Sequence, residues 1–177
     1  MCPFESFVGF QLIKINDIMV KDVITVAPQE NIKKAAELMN KNEIGCLIVV
    51  EDGKPIGIVT ERDMVNRVLL SKKKLGKIEV CDVMTKSVIS GKPDMEIISA
   101  LRLMFKHGVK KLPIVDKGHL VGLVTLTDLA YSRGVLLEMS EIIRNMEHEP
   151  PERMVKVINP LFRMITPVEG HTKLGKH

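Results

Sequence analysis

Gly57-Ile58-Val59-Thr60-Glu61-Arg62-Asp63 returns 65 positions later as Gly122-Leu123-Val124-Thr125-Leu126-Thr127-Asp128. The same offset, without a gap, carries Asp17 and Met19 onto Asp82 and Met84, Pro28 onto Pro93, Ala35 onto Ala100, and Leu38-Met39 onto Leu103-Met104. A constant offset over so many positions marks an internal duplication. Two copies are too few for a solenoid, which needs three or more repeats to bury its faces. The expected solution is a pseudo-twofold pair with one shared core, and a site at its seam would draw on both copies.

Working outward, each copy reads in the same order. Val23 to Val26 is a short β-prone run stopped by Ala27-Pro28, and Gln29 to Asn42 carries Ile32, Ala35, Ala36, Leu38 and Met39 at a helical period. Cys46 to Val50 is an apolar strand, Glu51-Asp52-Gly53-Lys54 a hairpin turn, and Ile56 to Val59 the returning strand, followed by a helix from Arg62 to Leu70. The second copy gives Val88-Ile89, a helix from Asp94 to Lys106, a strand Leu112 to Val115, the turn Asp116 to His119, a strand Leu120 to Val124 and a helix opening near Asp128. That is a β-α-β-β-α unit, doubled, in an α/β (α+β) chain.

The repeated heptapeptide sits where a strand hands over to a helix, a place whose free N–H groups favour an anion. A Gly there admits a ligand or another backbone closely, a Thr hydroxyl can donate to a phosphate oxygen, and a carboxylate three residues later can accept from two vicinal ribose hydroxyls. Thr-x-x-Asp is equally a capping box, in which Thr60 and Asp63 satisfy the orphan N–H groups of the helix start. Capping alone does not require a Gly three residues before the Thr in both copies, so both readings stand at this point.

Composition bounds the function. At 177 residues the chain can bury most of its apolar surface without staples. Cys2, Cys46 and Cys81 are odd in number, widely spaced and lack a CxxC, which argues against a disulfide framework or a zinc site. Residues 1–15 lack a basic start and a long apolar run, and no stretch approaches 18 apolar residues, so neither a signal peptide nor a membrane span is expected and the cytoplasm is the expected compartment. A net charge of +4, no Trp and one Tyr disfavour a nucleic-acid binder, although Lys72 to Lys77 form a charged connector. Catalysis is not expected: there is no nucleophile with a base, no metal cluster and no Rossmann or Walker glycine pattern.

The doubled pattern DIMVKDVITVAPQENIKKAAELM…GCLIVVEDGKPIGIVTERD and DVMTKSVISGKPDMEIISALRLM…KKLPIVDKGHLVGLVTLTD resembles a tandem pair of CBS (cystathionine-β-synthase) domains, a Bateman module of the stand-alone prokaryotic or archaeal type. The resemblance covers about residues 14–134. It implies two units packed as one module, commonly a disc-like homodimer, whose clefts bind AMP, ADP, ATP or S-adenosylmethionine as regulatory ligands, with no cofactor required and no metal. It places Asp63 and Asp128 on ribose hydroxyls, Thr60 and Thr125 on phosphate, and Ile24, Thr25, Ile89 and Ser90 around adenine. Lys110 and Lys111 fall where family members often hold phosphates, whereas two lysines before an apolar strand would otherwise read as a solvated edge. The first copy has Gly45-Cys46 there, so the clefts should be unequal, with Asp128, Thr125, Lys110 and Lys111 together in the one for a phosphorylated ligand. Gly91-Lys92 replaces the apolar Val26-Ala27 in the adenine wall of that second cleft.

The expected organisation is an N-terminal segment at 1–13, a first domain at 14–70, a linker at 71–78, a second domain at 79–134, and a C-terminal helical extension with tail at 135–177. The extension's apolar stripe, Leu136 to Met146, should pack on the module or across a dimer. Two functions remain: a sensor of adenosine-containing molecules that signals to a partner enzyme or transporter, or a dimerising adaptor with empty clefts. Modules of this kind also occur within inosine monophosphate dehydrogenases.

Overall fold

The computed structural model describes residues 13–70 and 75–131. Residues 1–12 of the N-terminal segment, the Lys72–Lys74 run and the C-terminal extension lie outside the described residues. The first copy forms β1 (Thr25–Val26), α2 (Ile32–Lys41), β2 (Cys46–Glu51), β3 (Lys54–Thr60) and α3 (Glu61–Asp63), preceded by a single helical turn, α1 (Ile15–Ile18). The second forms α4 (Val80–Val83), β4 (Thr85–Lys86), α5 (Ile97–His107), β5 (Lys111–Asp116), β6 (His119–Thr125) and α6 (Leu126–Tyr131).

Each hairpin is closed by a two-residue turn with both central residues left-handed, Asp52-Gly53 at φ 49° and 75° and Lys117-Gly118 at φ 48° and 86°. That geometry matches the natural strand twist, which is why Asp-Gly and Lys-Gly sit at the tips. β1 lies parallel to β2, Thr25 opposite Ile48. β2 and β3 run antiparallel from Cys46 opposite Thr60, with a register shift at Val49/Val50; β5 and β6 repeat the pairing from Lys111 opposite Thr125, with the same shift at Ile114/Val115. The expected first strand of the second copy shrinks to one bridge, Gly91 with Ile114. Gly91-Lys92 lacks the β-branched packing of Val26-Ala27, and a Cβ on Gly91 would lie 2.9 Å from Leu112 Cδ2.

The lead-ins are exchanged. β4, which opens the second copy, pairs antiparallel with β3 of the first (Gly57 opposite Lys86, Ile58 opposite Thr85), and Val20 of the first copy bridges Leu123 of the second. The helical turns follow: Val80 N donates to Glu30 O and Cys81 N to Pro28 O, while Ile15 N donates to Met95 O and Asn16 N to Pro93 O, all at 2.9 Å. The expectation of one shared core is therefore corrected. Two buried clusters form, one joining Val26, Ile32, Leu47 and Val59 to Val80, Val83 and Met84 of the other copy, the second joining Ile97, Leu101, Met104 and Leu112 to Ile15. Each copy lacks the residues that close its own core and takes them from its sibling.

This exchange explains the repeated glycine. A Cβ on Gly57 would lie 3.1 Å from Met84 Cγ and 3.2 Å from Thr85 O; one on Gly122 would lie 3.0 Å from Met19 Cγ and 3.2 Å from Val20 O. Those are closer than ordinary carbon contacts. The Gly of the heptapeptide and the Met of the Asp-x-Met lead-in are two halves of one joint between copies.

The helices bury one stripe each, Ile32, Ala35 and Met39 on α2, and Ile97, Ala100, Leu101, Met104 and Phe105 on α5. Asn31 caps α2, its Oδ1 accepting from Lys33 N at 2.9 Å while its Nδ2 donates to Gly76 O at 3.0 Å. Its counterpart Glu96 makes no side-chain cap bond. Asn31→Ala is expected to lower unfolding free energy by about 1 kcal/mol, the usual scale for a lost cap, read as a shift in urea midpoint without a change of slope. Glu96→Ala should leave the midpoint in place.

Candidate functional site

Thr60 ends β3 and caps α3. Thr60 N donates to Asp63 Oδ2 at 2.9 Å, Thr60 Oγ1 donates to the same oxygen at 2.6 Å, and Asp63 N donates back to Thr60 Oγ1 at 3.3 Å. Thr125 and Asp128 repeat the reciprocal pair at 2.8 and 3.2 Å. The capping box is thus realised in both copies, and the glycine before it answers to the sibling's methionine. What the heptapeptide leaves for a ligand is the side chain of Asp63, 14% exposed, and whatever surrounds it.

A cleft of about 680 Å³ opens there, within the range of small-molecule sites. The first copy lines it with Thr60, Glu61, Arg62, Asp63, Asn66 and Arg67, and the second with Thr85 and the segment Gly108 to Lys111. Both copies are needed to form it, as expected for a site at the seam. Its lining includes four cationic residues, Arg62, Arg67, Lys110 and Lys111, and two acidic ones, Glu61 and Asp63.

The helix behind this wall departs from the regular period expected for Arg62 to Leu70. After α3 the chain widens into a π-helical stretch, Met64–Leu69, that carries Asn66 and Arg67. Wide turns of this kind recur at functional sites. Arg67 Nη1 donates to Val83 O at 2.5 Å and Nη2 to Thr85 Oγ1 at 3.3 Å, and Nη2 stands 3.5 Å from Asp63 Oδ1. One guanidinium thereby ties the cap of the first copy to the lead-in of the second.

Of the residues expected to bind ligand, Thr60, Asp63, Lys110 and Lys111 line this cleft, and Thr125, Asp128, Ile24, Thr25, Ile89 and Ser90 do not. Ile24 and Ile89 are partly buried against the two cores, Thr25 lies on β1, and Ser90 is exposed. The grouping also differs from expectation: the lysines line the cleft of Thr60 and Asp63, where Thr125 and Asp128 had been expected. The starts of β2 and β5 lie close together at the seam, near enough for the Lys111 charge to act on the Cys46 thiol, so a residue at the head of β5 reaches the first copy's cleft.

Arg62, Arg67, Glu61 and Thr85 were not singled out by sequence. Arg67 carried a signal, since it lies four residues after Asp63 on one helical face, and its offset counterpart is Ser132. Thr85 carried none, because its approach depends on the exchange of lead-ins. Cys46, behind the cleft wall, is buried; burial pushes its thiol pKa up, Lys111 partly offsets this, and Glu61 adds to it. A protonated thiol is a poor nucleophile and a poor metal ligand. No helix among the described residues is long and apolar enough to cross a membrane.

Comparison with known proteins places this geometry in a family. The CBS domain model matches residues 15–70 and 80–133. The chain is 36% identical over 135 residues to the CBS domain-containing protein YhcV of Bacillus subtilis, covering 76% of this chain and 96% of YhcV. It is 39% identical over 122 residues to inosine-5'-monophosphate dehydrogenase of Methanocaldococcus jannaschii, covering 68% of this chain but 23% of the dehydrogenase. Among solved structures, the CBS domain pair of protein MJ0100, in complex with 5'-methylthioadenosine and S-adenosyl-L-methionine, superposes with a TM-score of 0.60 at 29% identity, covering 67% of this chain and 94% of that one.

Proposed function

Because the chain belongs to the CBS domain family, carrying two such domains in tandem, we propose that it is a regulatory module that senses an adenosine-containing ligand between its copies. The observation that carries this reading is the cleft itself, a joint product of both copies whose lining includes a partly buried aspartate and four cationic residues. The Asp63 carboxylate is suited to ribose hydroxyls, which would replace the Thr60 hydroxyl on Oδ2. The cations are suited to a phosphate chain. AMP, ADP, ATP and S-adenosylmethionine are the candidate ligands, and the MJ0100 complex supports that class.

A ligand that touches both copies biases their relative placement, and through Arg67 it reaches the lead-in at Val83 and Thr85. The domains of the proposal are 14–70 and 79–134, each closed by the other's lead-in. The output is a changed surface for a partner enzyme or transporter in the cytoplasm, and the protein binds without catalysing.

A second reading, the dimerising adaptor, has one observation in its favour. Val65, Leu69 and Leu70 leave 53, 69 and 78% of their surface exposed on the helix behind the cleft. A homodimer would cover them. Calorimetric titration of the full chain with AMP, ATP and S-adenosylmethionine separates the two: saturable heat from any of them is expected, and none from all three would leave the adaptor.

A further inference from the structure

We propose, building on the adenosine reading, that this cleft selects its ligand by phosphate charge: it takes a nucleoside di- or triphosphate, rejects adenosine and its sulfonium derivative S-adenosylmethionine, and depends on Arg67 for the distinction. The duplication supplies the comparison. Sixty-five residues from Glu61, Arg62 and Arg67 stand Leu126, Thr127 and Ser132, and the counterparts of Lys110 and Lys111 are Gly45 and Cys46. Each copy nonetheless builds the same hairpin, the same register shift and the same Thr-Asp cap without the charges its sibling carries: the second without Glu61, Arg62 and Arg67, the first without Lys110 and Lys111. The fold therefore does not require them, and their gathering in one cleft needs another cause.

Like charges in one cleft repel one another, and the four cationic residues of the lining outnumber its two carboxylates, Glu61 and Asp63. An anion with several charges relieves the repulsion. A neutral nucleoside does not, and the sulfonium and ammonium of S-adenosylmethionine increase it. Arg67 is prepared for this role, because Val83 O and Thr85 Oγ1 already hold its guanidinium at 2.5 and 3.3 Å. Those two bonds and the 3.5 Å ion pair with Asp63 Oδ1 leave further N–H donors among its five, and the side chain remains 44% exposed. An arginine so oriented has little rotamer freedom left to lose and presents its fork to a phosphate. The two ends of the ligand are thus read by neighbouring residues, ribose by Asp63 and phosphate by Arg67.

The test is calorimetric titration of the full chain with ATP, ADP, adenosine and S-adenosylmethionine at two salt concentrations. It is repeated on Arg67→Gln and on Arg62→Gln, the second of which leaves the ties to Val83 and Thr85 in place. Expected are ATP and ADP at least about tenfold tighter than adenosine, a preference that weakens as salt rises, and a preference reduced about tenfold in Arg67→Gln. Arg62→Gln should reduce it by a smaller factor. Adenosine or S-adenosylmethionine binding as tightly as ATP to the unmodified chain would overturn the phosphate selection while leaving the adenosine reading intact. An unchanged preference in a folded Arg67→Gln would overturn the role of Arg67. No binding by any of the four would overturn the adenosine reading and this proposal with it.

Discussion

Gly57→Val is expected to destabilise the fold by about 3 kcal/mol, the upper end of the usual cost of overpacking. The position is buried, and a Cβ there already comes within 3.1 Å of Met84 Cγ and 3.2 Å of the Thr85 carbonyl. The methionine is flexible, but the carbonyl belongs to β4, and Gly57 faces Lys86 in the ladder between copies. The added methyls therefore push on the backbone of the sibling's lead-in. Met84→Ala alone should cost about 2–3 kcal/mol through the cavity it leaves. Combined, the two should cost less than their sum by about 1–2 kcal/mol, since the truncation removes part of what the valine meets. Urea unfolding of the two single variants and the double variant measures the difference. Strict additivity would mean that Met84 does not pack on Gly57, and the exchange of lead-ins would lose its main support.

That joint also shows where sequence reading runs out. The duplication, the hairpins, their turn residues and the Thr-x-x-Asp caps are written locally and were legible, because each depends on residues within a few positions of one another. The partner of each glycine was not. Met19 recurs as Met84 and Gly57 as Gly122, so a packing within each copy, Met19 on Gly57, satisfies the repeat as well as the exchanged packing does. A duplicated sequence contains the two halves of the joint and cannot say which copy supplies which half.

The same ambiguity governs the site. Lys110 and Lys111 line a cleft, yet whether they stand with Asp63 or with Asp128 depends on how the heads of β2 and β5 meet. Arg67 was missed for a different reason. Met64, Val65 and Val68 suit a regular helix as well as the wider one, and only the three-dimensional course of Met64–Leu69 brings Arg67 into the cleft wall.

Asp63→Ala and Asp128→Ala should cost the fold similar amounts through their matching caps and the ligand very differently. The caps match to within 0.1 Å in both of their shared hydrogen bonds, so each substitution orphans a Thr backbone N–H and should lower stability by about 1–2 kcal/mol. At the cleft, Asp63→Ala also removes the acceptor for two ribose hydroxyls, each bond contributing about 1.5–3 kcal/mol. An opposing effect must be weighed, because the same change removes a negative charge from a cleft meant for phosphate. With the Asp63 carboxylate and the nearest phosphate charge about 8 Å apart, that repulsion amounts to about 0.5–2 kcal/mol between the aqueous and the protein-surface dielectric. The ribose loss is larger. ATP affinity should fall by roughly tenfold or more in Asp63→Ala, and adenosine affinity should fall further, since adenosine loses the hydroxyl contacts without the electrostatic relief. Asp63→Asn, which keeps a carbonyl acceptor and drops the charge, should lie between. Asp128→Ala should bind ATP at this cleft as the unmodified chain does. Calorimetry on the three variants, with urea midpoints measured alongside, checks every step. Equal stability losses with no loss of binding in Asp63→Ala would reduce the aspartate to a helix cap in both copies, and the ligand would have to be sought away from it.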